Sequence, residues 1–126
     1  MNILFVYFDK IIQNDNLYVK SLCEEIRLQN GSIECSIDAF WNSTRKYDIV
    51  HIQFPEVIFK WRQPSDNGLK ALRQRIDRLK SMGTKIVYTR HDAIPHYCTD
   101  KNKLELYRIV ETQSNAIIHL GEYSRQ

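Results

Sequence analysis

The stretch KIVYTRHDAIPH, residues 85–96, decides the predicted fold of this chain. It opens with four β-forming side chains in a row, and Pro95 prevents a regular strand from continuing through its end. Between the β-forming run and Pro95 lie three consecutive ionisable residues, Arg90, His91 and Asp92. An apolar strand that presents charged groups at its carboxyl end is typical of an open α/β sheet. We therefore expect the functional site at this strand end.

Composition indicates one globular domain. The chain has 126 residues, of which 43% are hydrophobic and 26% charged, and its net charge is +3. The N-terminus reads as a first strand and not as a signal peptide, and no apolar run reaches the roughly 20 residues of a membrane span. Three widely spaced cysteines, Cys23, Cys35 and Cys98, favour reduced thiols over a disulfide framework or a zinc site. These features predict a cytoplasmic protein.

Hydrophobic patterning predicts alternating strands and helices. Five strands are expected, over residues 2–8, 32–38, 48–54, 85–91 and 116–120. One helix is expected to end near residue 30. A second is expected to begin at Pro64-Ser65-Asp66 and to end before Gly83, and a third to be capped by Asp100 and to run to about residue 114 with Leu104, Tyr107 and Val110 facing inward. Residues 39–46 are expected to form a connection, and the state of residues 57–61 is left open.

This alternation predicts a three-layer, Rossmann-like α/β fold with helices on both faces of a parallel sheet. The expected strand order is 3-2-1-4-5, which places the reversal of winding between the first and fourth strands. The crevice at that point is then lined by residues 9–16 on one side and residues 90–96 on the other. Candidate binding side chains in this crevice are Asp9, Asn14, Asp15, Asn16, Arg90, Asp92 and His96.

Several nucleotide-binding and catalytic motifs are absent from the sequence. The loop after the first strand, FDKIIQND, contains no glycine, whereas dinucleotide binding needs G-x-G-x-x-G there. The chain also lacks a P-loop, the Ser-x-Gly of a nucleophile elbow, and an aspartate directly after the third strand. We therefore predict no bound cofactor.

The four histidines have different expected roles. His91 is either a proton-handling group in the crevice or a strand-end histidine that bonds a loop carbonyl, and its position leaves both interpretations open. A metal site built from His91, Asp92 and His96 is disfavoured, so no metal is predicted. His51 and His119 lie within apolar strands and are expected to be satisfied core residues.

Two segments could meet an anionic surface. The helix KALRQRIDRLK is strongly basic, which indicates a solvated face or contact with a membrane or nucleic acid. Because no aromatic side chains alternate with its charges, nucleic acid is disfavoured as a partner. The segment PEVIFKWR, residues 55–62, is expected in the core or an interface, or as an apolar and basic lip against a lipid-linked substrate or bilayer.

Three strand motifs, taken together and in order, resemble the N-terminal half of GT-B-fold glycosyltransferases of the large retaining group. They are YDIVHIQFPE, KIVYTRHDAIPH and NAIIHLGEYSR. The resemblance implies an enzyme that moves a sugar from a nucleotide-sugar to an acceptor hydroxyl of a glycan, polysaccharide or lipid-linked acceptor. It also implies that this domain recognises the acceptor, while a C-terminal domain beyond residue 126 holds most of the donor.

The resemblance also implies roles for individual residues. His91 matches the catalytic histidine at the interdomain cleft, and Asp92 is its neighbour in that motif. Glu122, Tyr123 and Ser124 match the segment after the fifth strand, which faces the same cleft. The family often carries Gly-Gly after the first strand, where this chain has residues 9–16. No metal or cofactor is implied.

Two further hypotheses remain open from the sequence. One is a stand-alone flavodoxin-like module that binds a nucleotide or another anion at helix N-termini. The other is an interaction module that uses its basic helix to dock on a membrane or on nucleic acid; the membrane alternative would place the protein peripherally at the inner membrane surface.

Overall fold

A computed structural model describes residues 2–7, 32–90 and 100–119 of the chain. Five parallel strands form one sheet: β1 (Asn2–Phe5), β2 (Ser32–Cys35), β3 (Ile49–Ile52), β4 (Lys85–Arg90) and β5 (Ala116–His119). Helices connect successive strands wherever the connection is described. The predicted α/β class and its parallel sheet are confirmed.

The predicted strand order is wrong. The sheet runs β2-β1-β3-β4-β5, so β3 and not β4 lies beside β1. Burial explains the difference, because β3 carries buried side chains on both faces and therefore suits the centre of a sheet. In contrast, β2 carries Glu34, which pairs with the exposed Arg45 at 2.8 Å. A charged side chain of this kind fits an edge strand.

Each of the three described α-helices begins after a side chain that caps it. Helix α1 (Ile37–Asn42) follows β2, a 3₁₀ helix (Pro55–Phe59) follows β3, and α2 (Asp66–Ser81) and α3 (Lys101–Gln113) complete the series. The side chain of Ser65 caps α2 by accepting the Gly68 N–H at 3.0 Å. The carboxylate of Asp100 caps α3 by accepting two backbone N–H groups. Both predicted helix starts are confirmed.

Three predicted strands are too long. The first was expected to reach residue 8, but it ends at Phe5. The second was expected to reach residue 38, but the hydroxyl of Ser36 accepts the Ala39 N–H at 2.9 Å and starts α1 there. Residues 39–46, expected as a connection, therefore begin within a helix. The third strand was expected to reach residue 54, but it stops at Ile52 because Pro55 opens the 3₁₀ helix.

The main core lies between the sheet and the described helices. Alternate side chains of the central strands, such as Val50 and Ile86, pack with buried residues of α1, α2 and α3 on one face of the sheet. The helix predicted to end near residue 30 lies outside the described residues, so helices on the opposite face remain a prediction. In α3 the buried side chains are Leu106, Ile109 and Val110. The prediction for Leu104 is wrong, since this residue is 36% exposed.

One basic side chain of α2 holds α1 in place. The guanidinium of Arg75 donates to the carbonyl oxygens of Phe40 at 2.5 Å and Ser43 at 2.8 Å. Burial lowers the pKa of Arg75 from its usual value. Arg73 of the same helix forms an ion pair with Glu105 of α3. The basic helix predicted as a possible anionic docking face thus uses two of its five cations within the fold.

Candidate binding site at the carboxyl edge of the sheet

The observed strand order moves the crevice to the boundary between β1 and β3. The chain leaves β1 for β2 on one side and returns to β3 on the other, so the direction of winding reverses there. In open α/β sheets the carboxyl ends of the strands at such a reversal form the binding crevice. The described residues that follow these two strand ends are Val6 and Tyr7 after β1, and Gln53 and Phe54 after β3.

A buried histidine supports the floor of this edge. His51 of β3 is 8% exposed, and its Nε2 lies 2.5 Å from the hydroxyl oxygen of Thr89 on β4. Its ring also contacts Phe5 of β1 edge to face, with centroids 4.9 Å apart. These contacts join the three central strands near their carboxyl ends. The prediction that His51 is a satisfied core residue is confirmed.

Gln53 is the most unusual polar side chain at the crevice. It follows β3 directly and is only 1% exposed, yet neither its amide nitrogen nor its amide oxygen has a hydrogen-bond partner within the part of the chain that is described. An amide buried without a hydrogen bond costs about 1–3 kcal/mol. Proteins tolerate such costs mainly where a polar group serves a function, so Gln53 is a strong candidate for the binding site.

A series of aromatic rings leads from the sheet to the surface. Tyr7 contacts Phe5 at 6.5 Å between centroids and Phe54 at 6.3 Å. Phe54 in turn contacts Trp61 at 6.1 Å, and Trp61 is 50% exposed. The spacings are those of favourable aromatic pairs. The carboxyl ends of β1 and β3 are therefore bordered by aromatic surface.

The rim of the crevice is a tight turn after the 3₁₀ helix. Lys60 and Trp61 have φ angles of 55° and 65°, in the left-handed region that non-glycine residues seldom adopt. The Trp61 N–H donates to the carbonyl of Glu56 at 2.9 Å, which fixes the turn. Two consecutive residues in this region store conformational energy, and such strain clusters at binding sites.

Glu56 ties the rim to α3. The hydroxyl of Tyr107 donates to its carboxylate at 2.7 Å, and the ammonium of Lys103 lies 3.9 Å away. Both partners come from the first half of α3, so the 3₁₀ helix is held against the helix that follows β4. The carboxylate of Glu56 is thus engaged in support of the rim.

Arg90 is the one predicted site residue within the described chain. It ends β4 and shares the helix-covered face of the sheet with Tyr88, according to the alternation of the strand. Its guanidinium lies 3.7 Å from the Glu111 carboxylate of α3. This ion pair gives Arg90 a structural role. The contact of Arg90 with a ligand stays a prediction.

The other predicted site residues lie outside the described residues. These are Asp9, Asn14, Asp15, Asn16, His91, Asp92, His96, Glu122, Tyr123 and Ser124. His91 directly follows the described end of β4 in the sequence. The positions of these residues relative to one another stay predictions, and so do their roles.

Within residues 2–7, 32–90 and 100–119, no cluster of three or more histidine, cysteine, aspartate or glutamate side chains could hold a metal ion. In the same residues, no helix is both long enough and apolar enough to cross a bilayer.

A second concavity lies between α2 and α3. It has a volume of about 650 Å³ and includes Leu69 and Leu104 together with charged side chains of both helices. Arg73 and Arg108 both pair with Glu105 there. Since Arg73, Arg108 and Glu105 are engaged with one another, we interpret this groove as the ordinary surface between two packed helices.

Sequence reasoning missed two features of the site. It placed the crevice between β1 and β4, whereas the described groups at the reversal of winding follow β1 and β3. It also passed over Gln53, although a glutamine at the end of an apolar strand and two residues before a proline is a visible signal. Trp61 was noticed, but its half-exposed position and left-handed backbone follow only from the fold.

Comparison of the chain with protein-family models, with curated proteins and with solved structures finds no significant match.

Proposed function

We propose that this chain is the acceptor-side domain of a GT-B-fold glycosyltransferase. The observation that carries the proposal is the crevice between β1 and β3, which combines aromatic surface with the buried amide of Gln53, an amide without a hydrogen-bond partner in the described part of the chain. An aromatic wall with a few polar groups suits a sugar, whose rings present both C–H faces and hydroxyl groups. The strand motifs that resemble the family lead into this same edge of the sheet.

The proposed reaction transfers a glycosyl group from a nucleotide-sugar to a hydroxyl of the acceptor. The C–O bond between the sugar and the diphosphate breaks, a new C–O bond to the acceptor oxygen forms, and the hydroxyl proton is released. The domain holds the acceptor hydroxyl in line with the donor, and positioning of this kind supplies much of the rate enhancement. His91 is proposed to face the transferred sugar in the cleft.

The donor is proposed to bind chiefly to a second α/β domain beyond residue 126, which also stabilises the leaving diphosphate. The proposed acceptor is a sugar or a lipid-linked glycan, and no nucleic acid, cofactor or resident metal is proposed. We propose a cytoplasmic location, with peripheral contact at the inner membrane surface where the acceptor is lipid-linked. The isolated domain is expected to be inactive.

A flavodoxin-like nucleotide or anion-binding module is the second candidate. The observed order β2-β1-β3-β4-β5 is the flavodoxin-like order, and it supports this candidate directly. Calorimetric titration of the 126-residue chain with ADP, UDP and FMN separates the two proposals. The transferase proposal predicts weak or no binding of each, whereas the module predicts clear saturation by one of them.

The proposed function is tested on the polypeptide made in the source cells. Intact mass and C-terminal sequencing are expected to show a product about two to three times the mass of this chain, since a second domain adds roughly 100–200 residues or more. When that product is incubated with an acceptor and a panel of nucleotide-sugars, we expect release of the nucleoside diphosphate and glycosylation of the acceptor. A product that ends at Gln126 and transfers no sugar contradicts the proposal unless a separate chain supplies the donor domain.

A further inference from the structure

Trp61 presents a flat aromatic surface at the rim of the crevice. Half of its surface is exposed, while its ring packs on Phe54 with 6.1 Å between centroids and 44° between planes. Its indole N–H has no protein partner within the described ranges, in contrast to that of Trp41, which donates to the Ile58 carbonyl. Trp61 therefore offers solvent both a π surface and a hydrogen-bond donor.

The backbone holds Trp61 in this position. The N–H groups of Lys60 and Trp61 donate to carbonyls of the preceding 3₁₀ helix at 2.8 and 2.9 Å. Both residues keep left-handed φ angles, and that helix is anchored to α3 through Glu56. The indole is thus presented on a fixed turn, so little conformational entropy is lost when a ligand stacks on it.

Two cations flank the exposed indole. Lys60 and Arg62 are both exposed, and neither forms an ion pair with another described residue. The neighbouring acid, Glu56, already has Tyr107 and Lys103 as partners. Among the described residues, the surface around Trp61 consequently carries positive charge that no acidic side chain neutralises, and it favours an anionic ligand.

We propose that Trp61, Lys60 and Arg62 form a subsite for an acidic saccharide, a sugar ring that bears a carboxylate or phosphate group. The C–H face of the ring stacks on the indole, and the two cations bind the anionic group. This inference rests on the proposed function and specifies the chemical class of the acceptor. It assigns the acceptor to the crevice side that follows β3.

Two other anionic partners fit the surface less well. Bilayer insertion needs a larger apolar surface, but Val57 and Ile58 of the same segment are at most 1% exposed and belong to the core. Single-stranded nucleic acid uses successive aromatic platforms, whereas Trp61 is the only aromatic side chain among the large exposed hydrophobic residues of the described chain. A single stacked sugar ring matches the area that is available.

The test uses the 126-residue chain on an array of immobilised acidic and neutral oligosaccharides. We expect binding to one or more acidic glycans, and at least tenfold weaker binding to a neutral glycan of the same linkage and length. Trp61→Ala is expected to weaken binding at least tenfold, and Trp61→Phe to retain part of it. The Lys60→Ala, Arg62→Ala double variant is expected to lose the preference for the acidic glycan.

Matched controls separate this subsite from general surface effects. Leu104→Ala removes another exposed apolar side chain, and the Lys70→Ala, Arg78→Ala double variant removes two exposed cations of α2. Both controls are expected to bind as the wild type does. Because Trp61 is half exposed, circular dichroism of its variants is expected to match that of the wild type.

Three outcomes overturn the inference. One is that no acidic glycan binds, and another is equal binding by Trp61→Ala and the wild type. The third is a blue shift of tryptophan fluorescence on vesicles of phosphatidylglycerol, abolished by Trp61→Phe and without any glycan binding, which would identify a bilayer surface. None of these outcomes decides the proposed function, because sugar transfer by the native product is measured separately. Loss of transfer with retained glycan binding would instead contradict the proposed function alone.

Discussion

Replacement of Gln53 by methionine is predicted to stabilise the fold. The amide of Gln53 is buried at 1% exposure and lacks a partner among the described residues. Methionine has a similar length and fills the same space without a polar group that must be hydrogen-bonded. Removal of the unpaired amide is expected to recover about 1–3 kcal/mol of unfolding free energy.

The assay is urea unfolding of the 126-residue chain, followed by circular dichroism. The urea concentration at the unfolding midpoint is expected to rise. The slope of the unfolding free energy against urea concentration is expected to stay the same, because the surface exposed on unfolding does not change. Gln63→Met, at an exposed position of the same segment, is the matched control and is expected to change stability by less than about 0.5 kcal/mol.

A destabilised Gln53→Met variant would refute this reasoning. A loss of about 1 kcal/mol or more would show that the amide is hydrogen-bonded in the folded protein. The prediction also has a functional part, since a residue kept at a cost to stability is expected to contribute to binding. In the native product, the variant is therefore expected to raise the acceptor KM while it raises the midpoint.

Three other substitutions test the scaffold of the site. Arg75→Met removes two hydrogen bonds to carbonyls of the α1 segment and is expected to lower the unfolding free energy by about 2 kcal/mol, measured by urea unfolding; an unchanged midpoint would contradict the contact. Burial raises the pKa of Tyr47 above 10.0, and the folded state therefore binds its proton more tightly than the unfolded state does. The folded protein is therefore expected to lose unfolding free energy as the pH rises above 10.0, because only the unfolded state releases the Tyr47 proton readily there. Tyr47→Phe should abolish this loss, measured by thermal melts between pH 8 and 11. Lys60 has a left-handed φ of 55°, which glycine adopts without a steric cost, so Lys60→Gly is expected to raise the unfolding free energy by about 0.5–1 kcal/mol. An unchanged unfolding free energy would show that the turn is unstrained.

The sequence predicted the α/β class because the apolar strands and the capped helices carry strong local signals. Ser65 and Asp100 are examples, since each caps the helix that it was predicted to begin. Local signals do not determine which strands pair. The order of the sheet depended on the competition between β2 and β3 for the central position, and the part-exposed ion pair of Glu34 with Arg45 suits β2 to the edge of the sheet.

The site was predicted less well than the fold for the same reason. Polar groups at strand ends are visible in a sequence, but their meeting at one crevice depends on strand order. An error of one strand position moved the expected crevice from β1 and β3 to β1 and β4. The unsatisfied amide of Gln53 and the left-handed turn at Trp61 are products of tertiary packing, and composition alone does not reveal them.

The central claim is tested most directly by turnover of the native product with His91→Ala. The variant is incubated with nucleotide-sugar and acceptor. Its rates of nucleoside diphosphate release and of sugar transfer are compared with those of the wild type. The proposal predicts at least a tenfold lower rate with unchanged circular dichroism, equivalent to about 1.4 kcal/mol or more of lost transition-state stabilisation. Turnover equal to that of the wild type would contradict the role of His91 at the carboxyl edge of β4.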